Sequence, residues 1–279
     1  MDAAVRRLSP PCSRWTRWLD RLALLIVLLY ALLAWNAESG ARFMIAPLDL
    51  TWTEIQWRGT LRVATDIGFR PFADEQDGQV VGYDIDLARA VATELGVTVE
   101  FVPTGFDALY DALTSRRADM IASALPYAPE LGYRARFSTF YLNAGQVLVT
   151  RQDAAITGQD DLAGQRVGVA LGSDGDAYAR RLAAADERIL LDSSYEEAAS
   201  ALVDLRRGAL AAVITDNVTA LIAVQNAPGL QIATALTFEP YVLAVPPEAF
   251  QLQAEVNRAL EALQARGFFE ELNVRWFRE

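Results

Sequence analysis

The sequence predicts an α/β protein of two lobes, preceded by an N-terminal apolar segment. From residue 57 onward, short β-branched runs alternate with segments of helical period. The alternation forms two strand–helix series of similar size, which indicates two lobes built on parallel sheets. Near the N-terminus, several arginines precede an uninterrupted apolar run over residues 22–35, which predicts a membrane helix or a signal peptide.

The inventory of reactive side chains excludes most common enzyme chemistry. The sequence contains no histidine and no lysine, and its single cysteine is Cys12. Histidine-dependent triads, lysine Schiff bases, thiol catalysis and zinc sites all need side chains that the folded part lacks. We therefore expect a binding protein without metal or cofactor, and a carboxylate acid–base pair is the one catalytic arrangement left open.

The N-terminal 41 residues form a separate unit that directs the chain to the membrane. The apolar run spans 14 residues, whereas a comfortable membrane span needs about 20. Small residues at 39–41 suit a cleavage site, so an uncleaved signal anchor and a cleaved signal peptide both remain open. Either predicts a cytoplasmic N-terminus and an exported domain, since five arginines precede the run: Arg6, Arg7, Arg14, Arg17 and Arg21.

The exported part is strongly acidic. Beyond residue 41 the chain has 20 arginines against 33 acidic residues. Such a surface repels nucleic acid and anionic lipid headgroups and favours small cationic molecules. Residues 42–56 are predicted to be a spacer between the membrane segment and the first strand.

The first series of elements begins with a strand at 61–65 and an amphipathic helix at 83–95. The helix carries Ile85, Leu87, Ala88 and Val91 on one face. A strand at 97–102, a helix at 106–116 and a strand at 120–123 complete the series.

The second series begins with a strand at 146–150. Strands at 166–171, 189–192 and 211–215 then alternate with helices at 174–184, 195–207 and 217–225. A strand at 241–245, a long helix at 247–266 and a short C-terminal helix end the chain.

Several linked segments carry a family resemblance. They are LRVATDIGFRPFADEQDGQVVGYDIDLARAVATELG (61–96), GFDALYDALTSRRADMIASAL (105–125), RVGVALGSDGDAYA (166–179), AAVITD (211–216) and NRALEALQARGFFEELNVRWF (257–277). In this order and spacing the chain resembles bacterial periplasmic solute-binding proteins of the polar amino-acid type, the substrate-binding components of ABC transporters.

The resemblance implies a two-lobed periplasmic-binding-protein fold with two crossover strands, near 142–150 and 237–245. Lobe 1 would comprise residues 57–145 and 240–279, and lobe 2 residues 146–239. A small-molecule ligand, either an amino acid or a cationic amine, would bind in the cleft and be delivered to a membrane permease.

The resemblance also implies the ligand-binding residues. Asp66 and Asp216, at strand ends, match the acids that bind the ligand's amino group. Phe69 and Phe106 match the aromatic residues around the ligand. Backbone groups complete the site, from Ser123, Ala124 and Leu125 on lobe 1 and from the Gly172–Ser173 turn, whose N–H groups would receive a carboxylate, on lobe 2.

Each of these residues also has a structural interpretation. Asp216 precedes a helix and suits an N-cap, which Asp66 suits less well because it opens a loop. Phe69 and Phe106, without the resemblance, would be core residues. Asp84 and Asp86, in the first turn of the helix at 83–95, are interpreted as caps and dipole partners.

Two departures from the family pattern bear on the ligand. Leu131 stands where the family has an arginine that forks the ligand's carboxylate, and leucine offers no donor. Asp174 replaces a threonine or serine in the second carboxylate contact. Arg134 or Arg70 would have to replace the missing fork, although a surface role suits both. The balance favours a cationic ligand, held by Asp66, Asp174 and Asp216 and by cation–π contacts.

Other functions stay open as alternatives. Gly172, Gly175 and Asp192 resemble a dinucleotide fingerprint only weakly, because the glycine spacing is not G-x-G-x-x-G. A dehydratase or lyase on the same fold is disfavoured by the missing carboxylate-binding arginine. The third alternative is an amino-acid-sensing or ligand-free accessory domain of a membrane complex.

Overall fold

The computed structural model describes residues 21–22, 25–27 and 49–278. Residues 21–22 and 25–27 are helical and exposed, and they belong to a unit separate from the rest. The predicted tail and most of the apolar run at 22–35 lie outside the described residues. Within the described ranges, none of the helices has the length and apolar character that crossing a bilayer requires.

The remaining chain forms one compact unit, Asp49–Glu279, with two sheets of five strands each. Its helices are α1 (Thr51–Arg58), α2 (Tyr83–Glu94), α3 (Leu109–Thr114), α4 (Asp174–Ala185), α5 (Ala198–Arg207), α6 (Asn217–Asn226), α7 (Phe250–Ala265) and α8 (Phe268–Trp276). Short 3₁₀ turns lie at Phe106–Ala108, Pro129–Leu131 and Gln159–Leu162.

The first sheet has the order β4-β1-β5-β12-β6 and belongs to lobe 1. Its strands are β1 (Thr60–Thr65), β4 (Thr98–Pro103), β5 (Met120–Ile121), β6 (Arg136–Asn143) and β12 (Pro240–Val245). Strand β1 pairs in parallel with β4 and β5, whereas β12 pairs antiparallel with β5 and β6.

The second sheet has the order β11-β7-β10-β8-β9 and belongs to lobe 2. Its strands are β7 (Gln146–Arg151), β8 (Arg166–Ala170), β9 (Leu190–Tyr195), β10 (Ala212–Asp216) and β11 (Leu230–Ala235). Strand β8 pairs in parallel with β9 and β10, while β7 pairs antiparallel with β10 and β11.

The prediction of two α/β lobes is confirmed, but the prediction of wholly parallel sheets is wrong. The parallel part of each sheet holds three strands, which helices connect in the usual way. The other two strands in each sheet include those that enter or leave the lobe. A strand arriving from the other lobe needs no crossover helix on its own sheet, so it pairs antiparallel with its neighbours.

Two further elements were not predicted. A hairpin of β2 (Asp74–Gln76) and β3 (Gln79–Val81) turns at Asp77 and Gly78, both with positive φ. Asp-Gly is the favoured pair for such a turn. Helix α1 occupies part of the predicted spacer at 42–56, because Ile55 is fully buried and joins the core of lobe 1.

Each sheet is covered on both faces by apolar clusters. The larger cluster of lobe 1 joins α2, α7 and α8 to the sheet, and Tyr83, Phe72 and Phe277 are its largest buried side chains. Two clusters flank the sheet of lobe 2. The chain passes from the first sheet to the second between Asn143 and Gln146, and returns between Ala235 and Pro240.

Candidate functional site

The candidate site lies at strand ends in both lobes. Asp66 directly follows β1, and Asp216 is the last residue of β10. In lobe 2 the amino end of α4 lies beside the end of β10, because Gly175 allows close approach. A Cβ at position 175 would lie 2.9 Å from the Ile214 carbonyl oxygen.

These elements enclose a cavity of about 380 Å³ on lobe 2. The cavity is lined by Gln146, Ala170, Gly172, Ser173, Asp174, Gly175, Ala198, Thr215 and Asp216. The structure thus brings together the four residues predicted on lobe 2, which are Gly172, Ser173, Asp174 and Asp216. All nine lining residues belong to lobe 2, and the predicted lobe 1 residues Asp66, Phe69 and Phe106 are not among them.

Asp216 caps α6 and faces the cavity at the same time. Its Oδ1 accepts a 2.8 Å hydrogen bond from the Thr219 backbone N–H, and its Oδ2 lies 3.4 Å from the Thr215 hydroxyl. The capping interpretation is therefore confirmed. Asp174, the first residue of α4, is exposed and has no hydrogen-bond or ion-pair partner within residues 49–278.

The Gly172–Ser173 turn is already engaged by another carboxylate. The Gly172 N–H, which the resemblance assigns to a ligand carboxylate, donates a 3.0 Å hydrogen bond to Asp176 Oδ2. Burial acts to raise the pKa of Asp176, but hydrogen bonds from Gly172, Arg180 and Ser193 lower it below its usual value. A carboxylate that is ionised at neutral pH thus holds the turn, and sequence reasoning missed Asp176.

On lobe 1, Asp66, Phe106 and Ser123 are held together. The Phe106 N–H donates to Asp66 Oδ2 at 3.2 Å, and the Asp66 N–H donates to the Ser123 hydroxyl at 3.0 Å. Phe106 is 47% exposed and Phe69 is 50% exposed. The core interpretation of these two phenylalanines is therefore wrong, and Phe69 stacks on Phe72 with ring centroids 5.6 Å apart.

The segment Ser123, Ala124 and Leu125 is buried and is fixed by hydrogen bonds to neighbouring elements of lobe 1. Ala124 has a positive φ of 43°, and its N–H donates to Asp84 Oδ2. Leu125 O accepts a hydrogen bond from Val242 N at 2.9 Å. Two of the backbone groups predicted to touch the ligand are thus used to fix the segment.

Asp84 is a buried carboxylate, and its interpretation as a cap is wrong, because the N-cap of α2 is Gly82 and no side chain caps this helix. It is fully buried, and burial raises its pKa to about 7 despite the Ala124 N–H and the nearby Tyr141 hydroxyl, which lower it. Asp86 instead accepts hydrogen bonds from Arg275 and Trp276 in α8, both at 3.0 Å.

Both candidate replacements for the carboxylate fork pair with acidic residues of lobe 1 in this structure. Leu131 is half-buried in the 3₁₀ turn Pro129–Leu131. Arg134 pairs with Asp111 and lies over the Tyr110 ring at 5.4 Å. Arg70 is mostly exposed and pairs with Asp74 at 2.6 Å.

The charged side chains that line the lobe 2 cavity are therefore all negative. No arginine lines the lobe 2 cavity, whereas Asp174 and Asp216 do. Across residues 49–278 no group of acidic or sulfur side chains is arranged to hold a metal ion. The arrangement suits a small cation that enters between the lobes.

Comparison with known proteins identifies the family. Residues 61–279 match the sequence model of the bacterial extracellular solute-binding proteins, family 3. The chain belongs to this family. The family is extracellular, in agreement with the predicted export of the domain.

Individual relatives agree with this assignment. The L-cystine-binding protein TcyJ of Escherichia coli K12 is 29% identical over 230 residues, covering 80% of this chain and 85% of the relative. The ABC transporter arginine-binding protein 1 of Escherichia coli K12 is 27% identical over 208 residues, covering 72% of this chain and 83% of the relative. A solved structure, that of an ancestral cyclohexadienyl dehydratase, is similar with a TM-score of 0.69 and 29% identity, covering 81% of this chain and 95% of that one.

Proposed function

We propose that this protein captures a small cationic ligand between its two lobes and delivers it to the permease of an ABC importer. The ligand class is a basic amino acid or a related amine. The observation that carries the proposal is the charge of the site, because Asp174 and Asp216 line the cavity and no arginine does. The names of the relatives, which bind cystine and arginine, support an amino-acid-like ligand.

The mechanism follows from the placement of the acids on separate lobes. Asp66 on lobe 1 and Asp216 on lobe 2 bind the same ammonium group, so a ligand stabilises the closed state by bridging them. Phe69 and Phe106, each about half exposed in this structure, cover the ligand's side chain when the lobes close. Residues 57–145 with 240–279 and residues 146–239 act as the two moving lobes.

A ligand panel tests the proposal. Purified protein is titrated calorimetrically with L-arginine, L-ornithine, L-cystine, putrescine, choline and L-glutamate, and thermal unfolding is followed at saturation. We expect binding of at least one cation and no binding of glutamate. At 100 times the dissociation constant, the ligand stabilises the folded state by about 2.7 kcal/mol. Absence of binding by every compound of the panel would leave a ligand-free accessory domain as the function, and binding of L-cystine or L-glutamate alone would overturn the cationic ligand class.

The dehydratase is the second candidate, because an ancestral dehydratase shares the fold. The substrate of such a dehydratase is a cyclohexadienyl acid, which carries a negative charge. It would have to bind beside Asp174 and Asp216, which repel its carboxylate. We therefore propose binding without turnover. Release of water and aromatisation of a cyclohexadienyl acid, followed by ultraviolet absorbance, would establish the enzyme instead.

Membrane attachment is proposed from the sequence alone. Residues 22–35 either anchor the exported domain or are removed with the signal peptide. The intact mass of protein purified from the membrane fraction decides between the two, because cleavage near 39–41 removes the N-terminal unit.

A further inference from the structure

Gln146 is a polar residue of the lobe 2 cavity whose side chain makes no hydrogen bond to any residue in the described part of the chain. It is the first residue of β7, and only 5% of its surface is exposed. Its backbone is fixed to the second crossover, since its N–H donates to the Thr237 hydroxyl at 2.7 Å and its carbonyl accepts from Leu236 N at 2.8 Å. Within residues 49–278, its side-chain amide makes no hydrogen bond, although the residue lines the cavity.

The amide lies beside the proposed ammonium site. Gln146 and Asp216 are directly paired across the ladder of β7 and β10. Directly paired residues project to the same face with Cβ atoms about 5 Å apart. Gln146 Oε1 would lie 3.0 Å from a Cβ at Gly175, so the amide oxygen faces the amino end of α4. The helix dipole favours oxygen there, which leaves the amide nitrogen as the free donor.

The residue as a whole is buried, but its amide lines the cavity and is not engaged by another described group, so it is free to donate a hydrogen bond to a ligand that enters there. We propose that the Gln146 amide nitrogen hydrogen-bonds an acceptor oxygen that the ligand carries next to the ammonium group held by Asp216. The inference rests on the proposed function and narrows its ligand class. It selects cations with a carboxylate or carbonyl oxygen, as in basic amino acids, over bare polyamines.

An amide suits this position better than an arginine does. Asp174 and Asp216 would pair with an arginine and lose their attraction for a cationic ligand. A neutral donor recognises oxygen without neutralising the acids. Gln146 thereby replaces part of the carboxylate recognition that Leu131 cannot supply, and it does so from the other lobe.

The test compares ligands that differ only in the carboxylate. Affinities of L-ornithine and putrescine, and of L-arginine and agmatine, are measured by calorimetry for the wild type, Gln146→Leu and Gln146→Glu. The wild type should bind the amino acid of a pair more tightly. Gln146→Leu should lower amino-acid affinity by about three- to tenfold, the worth of one hydrogen bond, and leave amine affinity nearly unchanged. Gln146→Glu, which keeps the size but repels a carboxylate, should favour the amine.

The matched control is Gln231→Leu, which removes an amide of the same sheet that contacts the Thr150 hydroxyl. It should leave both affinities unchanged. Two results would overturn the role of Gln146 and leave the proposed function standing. One is an equal loss of affinity for the amino acid and the amine of a pair, and the other is an unchanged preference between them in both Gln146 variants. A wild type that prefers the bare amine also overturns it. A wild type that binds neither member of either pair overturns the proposed function as well.

Discussion

Asp66 and Asp216 each have a structural contact in addition to the proposed ligand contact. Asp66 Oδ2 holds the Phe106 N–H, and Asp216 Oδ1 caps α6. Asparagine keeps an acceptor oxygen and is as good an N-cap as aspartate. We therefore predict that Asp66→Asn and Asp216→Asn fold normally but bind L-arginine or L-ornithine more weakly by on the order of 2–5 kcal/mol, the range for removing one partner of a buried charge pair.

Calorimetric titration measures the loss of affinity, and urea unfolding without ligand measures stability. Glu187→Gln is the control, because Glu187 is exposed and follows the opposite end of α4. Stability losses as large as the affinity losses would show that both acids are structural only.

Asp84 gives the protein an unusual dependence of stability on pH. Its pKa in the folded protein is about 7, above the ordinary value of 3.8, with burial as the main cause. Between these values the folded state binds the proton more tightly than the unfolded state. The free energy of unfolding should therefore fall as the pH rises from about 4 to about 7, by on the order of a few kcal/mol at 1.36 kcal/mol per pH unit.

The sequence makes this effect easy to isolate. The chain has no histidine, so no imidazole titrates in the same range. Burial raises the pKa of the neighbouring Tyr83, Tyr141 and Tyr241 above the usual tyrosine value. Asp84→Asn should flatten the profile in urea unfolding measured at pH 5 and pH 8. A variant profile as steep as that of the wild type would contradict the assignment.

Asp84 shows which features of a single residue can be predicted from the sequence and which cannot. Its position in the first helical turn indicated a cap, which depends only on local spacing. Its burial depends on Ala124, 40 residues away, and on Tyr141, which comes from the opposite end of the first sheet. Gln146 was missed for the same reason, since it meets Asp216 across a ladder. Asp176 was missed although its contact with the Gly172 N–H spans only four residues.

Among the elements, local signals predicted helices and strands well. The helix predicted at 83–95 is α2, Tyr83–Glu94, and the helix predicted at 174–184 is α4, Asp174–Ala185. Apolar periodicity and caps act within a few residues, so sequence alone determines them. Helix α1 and the antiparallel strands depend instead on distant partners. Asp49, for example, accepts a hydrogen bond from Gln251 N at 2.8 Å.

Gly82 shows how one element depends on a close approach of the backbone. It precedes α2 with a φ of 143°, and a Cβ there would lie 2.1 Å from the Phe72 carbonyl oxygen. Gly82→Ala should therefore lower the free energy of unfolding by on the order of 3 kcal/mol or more, through strain and displacement of the 71–73 turn. Urea unfolding monitored by circular dichroism measures the change.

Gly158→Ala provides the matched control. Its φ is −164°, and nothing lies within 4 Å of a Cβ at that position. Alanine there should leave stability unchanged or raise it by up to about 1 kcal/mol. Similar effects of the two substitutions would show that the close contact at Gly82 relaxes without cost.

At the scale of the whole molecule, the two lobes are joined by a tight hinge and by a further area of contact. In the hinge, Ala144 N donates to Glu239 O at 2.9 Å, and a Cβ at Gly145 would lie 2.5 Å from the Thr237 hydroxyl. The further contact is made by α6 of lobe 2. Its Asn226 side chain donates to Phe277 O at 3.1 Å.

The same helix carries an apolar strip toward lobe 1, formed by Val218, Leu221 and Ile222, which pack against the lobe 1 core cluster. The strip therefore stabilises the arrangement of the two lobes in this structure. We predict that closure around a ligand loosens this packing, so that ligand binding must supply the difference in free energy.

Leu221→Ala should therefore tighten ligand binding. The affinity should rise about tenfold for every 1.4 kcal/mol by which the substitution destabilises the ligand-free arrangement relative to the closed state. Val224→Ala is the control, because Val224 lies on the same helix but packs against the core of lobe 2. It should lower stability and leave affinity unchanged. Calorimetry with L-arginine or L-ornithine measures affinity, and small-angle X-ray scattering without ligand should show a more compact average for Leu221→Ala. Unchanged affinity and scattering in that variant would mean that the strip moves with lobe 1 as the cleft closes.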